Sequence, residues 1–280
     1  MRRVLTMVVA VSVALTVAAG CDSGKSPETG AQAPSVPSSS PTVPPTSAGS
    51  SAPTPSASPS ASPTPSTPTP STSTSTPPAA PQKLKVGAKG AAVLALQQRL
   101  TELGYWNGKA DGEFGGTTQQ AVFAVQKAAG IGRDGVVGPK TQKALDQGVR
   151  PKARSKAGSG HLVEINLARQ LLMIVDNGQV TTTLNTATGS NQHYDYQGET
   201  YLADTPPGHF RVGRQIDGWR HGPLGPLWRP KYFNGGIAVH GAPSVPPYPA
   251  SHGCARVSVS AMNWIWSAGK LPLKTKVWVY

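Results

Sequence analysis

Two short stretches near the C-terminus hold the residues best suited to covalent chemistry: Ile237-Ala238-Val239-His240-Gly241 and Ser251-His252-Gly253-Cys254-Ala255-Arg256. Cys254 is one of two cysteines, and the other, Cys21, follows an N-terminal apolar run. Two cysteines exclude a disulfide-dense scaffold. The neighbours of Cys254 are polar or flexible, unlike those of an inert packed thiol. A thiol near His and Arg should have a lowered pKa and gain thiolate character. Gly253 removes side-chain bulk beside the sulfur, and backbone N–H groups around such a turn can form an oxyanion hole. His240, His252 and Cys254 are also three potential zinc ligands, but the thiol reading accounts for more of the pattern, and no metal or cofactor is assigned. His161, His193, His209 and His221 stand outside any motif and read as surface or cleft-rim residues.

These residues need a framework. From Leu162 onward the sequence breaks into short β-prone runs: 162–167, 170–175, 180–186, 210–212, 236–240, 256–259 and 276–280. Asn177-Gly178 between the second and third is a hairpin signal. Only Ala261–Ala268 reads as a helix. Many short strands with Gly/Pro turns predict a β-sandwich-like domain over 158–280. Pro243, Pro246, Pro247 and Pro249 fill the ten residues between His240 and Ser251, where their fixed φ would stiffen the connection.

This half of the chain resembles the L,D-transpeptidases of the YkuD type, whose domain runs His-Gly, a loop, then Ser/Thr-His-Gly-Cys. Thr205-Pro206-Pro207-Gly208 and Trp228-Arg229-Pro230-Lys231-Tyr232-Phe233 belong to the resemblance too. It implies that Cys254 attacks a peptide carbonyl to form a thioester. His240 would take the thiol proton and later protonate the leaving amine. The backbone carbonyl at Gly241 would orient the His240 ring, and His252 and Gly253 would shape the oxyanion site. Arg256, Ser251 and Tyr232 are the candidate substrate-binding residues, Arg256 as a bidentate partner for a carboxylate. The implied donor is a peptidoglycan tetrapeptide stem cleaved between its diamino acid and terminal D-Ala. The acceptor is the side-chain amine of another stem, and carbapenems are the implied covalent inhibitors.

Residues 83–150 carry an internal repeat at a shift of 23. Asp111-Gly112-x-x-Gly115-x-x-Thr118-x-x-Ala121-Val122 matches Asp134-Gly135-x-x-Gly138-x-x-Thr141-x-x-Ala144-Leu145. Each copy opens on a turn signal and continues as an apolar-periodic run. Val93, Leu96, Leu100 and Leu103 recur at helical spacing before them and stop at Gly104. Three short helices are predicted. The segment is similar to the peptidoglycan-binding module of many wall hydrolases and cross-linking enzymes, which implies peptidoglycan glycan and stem peptides as partners.

The N-terminal part has other business. Arg2 and Arg3 precede an apolar run over 4–19, small residues follow, and then comes Cys21. Residues 1–20 read as a secretory signal. The adjacent cysteine resembles a bacterial lipoprotein signal, implying lipidation of Cys21 and anchorage to the outer face of the cytoplasmic membrane; an ordinary cleaved signal and a secreted product is the alternative. Within 31–80, 38 of 50 residues are Pro, Ser or Thr and none is charged, so this stretch cannot bury enough apolar surface to fold. Residues 21–82 read as a disordered tether reaching into the wall.

The formal net charge is +13, spread over both folded parts: 10 basic against 5 acidic side chains in 83–150, and 13 against 6 in 151–280. No basic stripe with stacking aromatics points to nucleic acid, whereas a polyanionic wall suits the charge. The reading is therefore a multidomain chain: a small three-helix module followed by a mostly-β catalytic domain. An L,D-carboxypeptidase using the same Cys–His pair with water as acceptor, and a non-catalytic wall-binding lipoprotein, are the alternatives.

Overall fold

Leu171-Leu172-Met173-Ile174-Val175 has no polar residue to alternate with, the pattern of a strand covered on both faces. In the computed structural model, which describes residues 83–156 and 158–280, this strand lies between two cores. Leu171, Met173 and Val175 pack with the N-terminal helices, while Leu172 and Ile174 pack toward a second sheet. Successive strand side chains point to opposite faces, so one segment serves both layers. The expected signal segment, Cys21 and the tether lie outside the described residues.

The predicted three helices are α1 (Ala91–Glu102), α2 (Gly116–Ala129) and α3 (Pro139–Asp146). Val93, Leu96 and Leu100 give α1 its buried stripe. Gly130, in the left-handed region at φ 68°, ends α2, and Pro139 opens α3 where a missing N–H costs nothing.

The internal repeat has a physical cause in two buried glutamines. Gln97 Nε2 donates to Asp111 Oδ1 at 2.8 Å and Thr118 Oγ1 at 3.0 Å, while its Oε1 accepts from the Gly112 N–H at 2.8 Å. Gln126 repeats the pattern with Asp134 at 2.6 Å, Thr141 at 3.1 Å and the Gly135 N–H at 2.9 Å. Each Asp-Gly turn is thus latched to the helix before it. Gly112 and Gly135 sit at φ 76° and 71°, which explains why both copies carry glycine there.

The β-rich part comprises β1 (His161–Asn166), β2 (Leu171–Asp176), β3 (Gln179–Asn185), β4 (His193–Tyr196), β5 (Glu199–Leu202) and β6 (Gly208–Arg211). Then follow β7 (Arg214–Gln215), β8 (Trp219–Gly222), β9 (Gly225–Asn234), β10 (Ile237–Ala242), β11 (Ala255–Ser258), α4 (Val259–Ser267) and β12 (Lys276–Val279). One sheet runs β3-β2-β1-β12-β6; the other runs β11-β10-β9-β7 with β8 on β9, and β4 and β5 pair alone. Val163 and Ile165 from the first sheet meet Phe233, Val239 and Val257 from the second, with Met262 and Ile265 of α4 closing the core. Asn177 and Gly178 both take positive φ, 50° and 75°, as the predicted hairpin turn requires.

Five strands, β4, β5, β7, β8 and β9, have no counterpart among the predicted runs. β4 and β5 are polar and mostly exposed, joined by Gln197-Gly198, so no hydrophobic alternation marks them. β9 contains Pro226 and Pro230, and it pairs instead through bulged registers with β10 and with short partners β7 and β8.

Candidate active site

β10 and β11 lie side by side and parallel, with Val239 opposite Ala255 and His240 opposite Arg256. Two residues before Arg256 on the approach to β11, Cys254 comes level with Ala238. His240, Cys254 and Arg256 therefore reach one side of the sheet, where all three line a cleft of about 400 Å³. Ser251, His252 and Tyr232 line it as well.

His240 is only 4% exposed, and its Nδ1 lies 2.9 Å from the Gly241 carbonyl oxygen. A carbonyl accepts and cannot donate, so Nδ1 carries the proton and Nε2 keeps the lone pair of a neutral ring. Burial pushes the ring pKa down to about 4, against the opposing pull of that hydrogen bond. The position of Gly241 itself is tight: a Cβ there would fall 2.8 Å from Trp228 Cδ1 and 3.1 Å from Met262 Cβ.

Cys254 is the one free cysteine among the described residues. Burial raises its thiol pKa, outweighing the lowering effects of a backbone hydrogen bond at Ala238 and of the Arg256 charge. This runs against the expected lowering of the thiol pKa: burial favours the neutral form of the thiol and of the imidazole. Arg256 is half-buried too, so its field acts weakly against the desolvation of sulfur. The thiol faces the Gly236 carbonyl at 3.9 Å.

The turn that carries the sulfur is fixed from within. Ser251 Oγ donates to the Cys254 carbonyl at 2.6 Å and accepts from the Gly253 N–H at 3.0 Å. Ser251 is 2% exposed, so its hydroxyl serves the shape of the turn rather than standing open in the cleft. Gly253 takes φ 135°, and a Cβ there would lie 2.7 Å from the Asp204 carbonyl oxygen. Thr205 Oγ1 donates to the Gly253 carbonyl at 2.5 Å and accepts from the Gly189 N–H at 2.9 Å. His252 is exposed, its ring edge-on to Tyr194 at 4.8 Å. Tyr232 is 7% exposed, with the Arg214 guanidinium stacked 3.7 Å over its ring.

Thr205, Tyr194, Arg214 and Arg220 are cleft or turn residues that sequence reasoning did not single out for the site. Tyr194 comes from the β4–β5 hairpin, and Arg214 and Arg220 from β7 and β8. Those elements had no readable periodicity. The Thr205-Pro206-Pro207-Gly208 motif was the signal for Thr205. Arg214, Arg220 and Arg256 line the cleft with no Asp or Glu among its residues, so it presents three cations to an entering group. Such a surface suits a ligand with carboxylates. No group of three His, Cys, Asp or Glu side chains among the described residues is arranged to hold a metal ion.

Comparison with known proteins adds independent findings. The profile of the L,D-transpeptidase catalytic domain (YkuD) matches residues 160–279, and that of a peptidoglycan binding domain matches 89–145. A crystal structure of the L,D-transpeptidase from Xylanimonas cellulosilytica is 54% identical, with a TM-score of 0.69, covering 72% of this chain and 100% of that one. The amidase CwlL of Bacillus licheniformis, an N-acetylmuramoyl-L-alanine amidase, is 49% identical over 78 residues, 27% of this chain and 22% of that protein. The spore cortex-lytic enzyme of Bacillus subtilis is 45% identical over 65 residues, 23% of this chain and 21% of that enzyme. The chain thus spans about a fifth of these two curated relatives, and the amidase similarity falls on the helical module alone.

Proposed function

Since the chain belongs to the L,D-transpeptidase family, with a peptidoglycan-binding module ahead of its catalytic domain, we propose that it cross-links peptidoglycan stems through a thioester on Cys254. The observation that carries this reading is the pinned tautomer of His240 in the same cleft as the thiol. A neutral imidazole with its Nε2 lone pair free is what a base for a neutral thiol requires. The sulfur attacks the carbonyl of the stem's diamino acid as its proton passes to Nε2. The tetrahedral oxyanion takes hydrogen bonds from backbone N–H groups of the nucleophile's turn other than that of Gly253, which Ser251 Oγ holds; Gly253 and His252 help to shape the turn. When the C–N bond breaks, the His240 proton goes to the departing D-Ala amine. The side-chain amine of a second stem then attacks the thioester, gives its proton to Nε2 and releases the thiol. A raised thiol pKa makes the sulfur a stronger nucleophile once deprotonated, so removal of the proton is left to His240.

Arg256 would hold a stem carboxylate, assisted by Arg214 and Arg220, which line the same cleft. Its NH1 already donates to the Ala250 carbonyl at 3.1 Å, which aims the remaining donors. Tyr232 offers its ring as a platform under Arg214. We read residues 1–20 as the lipoprotein signal and Cys21 as the lipidated residue, followed by the tether to residue 82, the helical module over 83–150 and the catalytic domain over 158–280. The enzyme would then work outside the cytoplasmic membrane, held to it by lipid and reaching into the wall.

Incubation with purified tetrapeptide stems tests the central claim. New dimers with release of D-Ala, absent with Cys254→Ala, support transpeptidation; free tripeptide alone would move the reading to the hydrolase. For the anchor, a mature N-terminal peptide carrying lipid on Cys21, and release of a Cys21→Ser variant into the medium, are expected.

A further inference from the structure

The Pro-rich strap between His240 and Ser251 is held by the helical module. Gln120, on α2, donates through Nε2 to the Val245 carbonyl at 3.1 Å. Its Oε1 accepts from Asn185 Nδ2 at 2.6 Å, and Asn185 reaches the same Val245 carbonyl at 3.3 Å. Arg133, just beyond α2, donates to the Pro247 carbonyl at 3.0 Å. Prolines 246 and 247 lack N–H groups and cannot build a ladder of their own, so these carbonyls depend on outside donors.

The same helix grips the other flank of the nucleophile's turn. Lys127 is fully buried and donates to the Gln170 and Thr186 carbonyls, each at 2.9 Å, and to Asn185 Oδ1. Thr186 Oγ1 in turn donates to the Arg256 carbonyl at 2.8 Å, and the Ala187 N–H donates there as well at 3.2 Å. The Ala250 and Ser251 N–H groups both donate to the Thr188 carbonyl at 3.0 Å. One face of α2 therefore reaches the segments before and after Cys254 through a single layer of hydrogen bonds.

We infer that Gln120 and Arg133 of the helical module are positioning residues for the transpeptidase site, setting the strap so that His240 and Cys254 meet in register. This goes beyond wall binding: the module is part of the framework of the active site. It rests on the reading of Cys254 and His240 given above.

Gln120→Ala combined with Arg133→Ala in the full-length protein tests it, because both side chains are half-exposed and their loss spares the core. The rate constant for Cys254 acylation at saturating carbapenem should fall about tenfold or more, as small misplacements of reacting groups do. The half-saturating concentration should stay within about twofold, and amide exchange should quicken across 243–251 but not in β1 or β2. Arg133→Lys, which keeps one donor for Pro247, should recover part of the rate. An acylation rate within about twofold of the parent, with unchanged exchange in the strap, overturns the inference. So does a loss confined to the half-saturating concentration. If the parent forms no adduct, the Cys254 reading falls, and strap exchange alone then decides whether these two residues hold it.

Discussion

His240 has one ring nitrogen committed and the other free, and its burial governs how it titrates. The folded ring has a pKa near 4, while an unfolded histidine titrates near 6.5. Between those values the unfolded chain binds a proton that the folded chain refuses. The stabilising contribution is complete above about pH 6.5 and is lost as pH falls through about 4, amounting to about 3 kcal/mol. Urea midpoints at pH 7 and 4.5 should therefore differ more for the parent than for His240→Gln. Cys254 titrates in the opposite direction. Alkylation of the native thiol by iodoacetamide should reach half its maximal rate at a pH above that of an ordinary cysteine, and should return to the ordinary value in denaturant. A midpoint on the acidic side would show that Arg256 outweighs burial after all.

At the scale of elements, the strongest local devices are the two glutamine latches. Gln97 and Gln126 are each 1% exposed, and truncation of either takes away the acceptor of a buried turn N–H, that of Gly112 or Gly135. Gln97→Ala or Gln126→Ala should each cost about 1–3 kcal/mol, read from chemical denaturation. The Asp-Gly repeat is plain in the sequence because it recurs at a fixed shift; the pairing of Gln97 and Gln126 with its aspartates is not, because they stand 14 and 8 residues before them. Strand legibility followed the same logic. β1, β2, β3, β10, β11 and β12 have apolar or alternating patterns imposed by a core, and the sequence displays them. β4 and β8 carry cleft residues, β5 pairs only with β4, and β9 is interrupted by Pro226 and Pro230, so nothing periodic marks them. So Cys254, His240, Ser251, His252, Arg256 and Tyr232 were identified from local motifs, whereas Tyr194, Arg214 and Arg220 reach the same cleft only through tertiary pairing.

At the scale of the molecule, the helices and the β-rich part were expected as successive domains, yet they share β2. The described residues fall within one compact unit. Arg154, in the connection, stacks over Trp278 and Tyr280 at 5.4 and 4.6 Å, and the buried Glu164 accepts from the Arg154 and Ser155 N–H groups at 2.9 and 2.8 Å. Met173 is 1% exposed and faces the helices. Met173→Ala should cost about 2–5 kcal/mol. Its thermal unfolding should remain one transition reported alike by helical and aromatic signals, whereas separable domains would give two.

A shared strand also restricts how such a protein is assembled over evolutionary time. Binding modules are usually thought of as interchangeable cassettes, joined by a linker and free to be traded. Here the catalytic part, cut away at residue 158, would bare Leu171, Met173 and Val175 to water along one sheet face. A newcomer module would have to match that surface before it could bind anything. Exchange of the helical part is then a problem of refitting a core, and lineages that carry this pairing should keep or lose the two parts together.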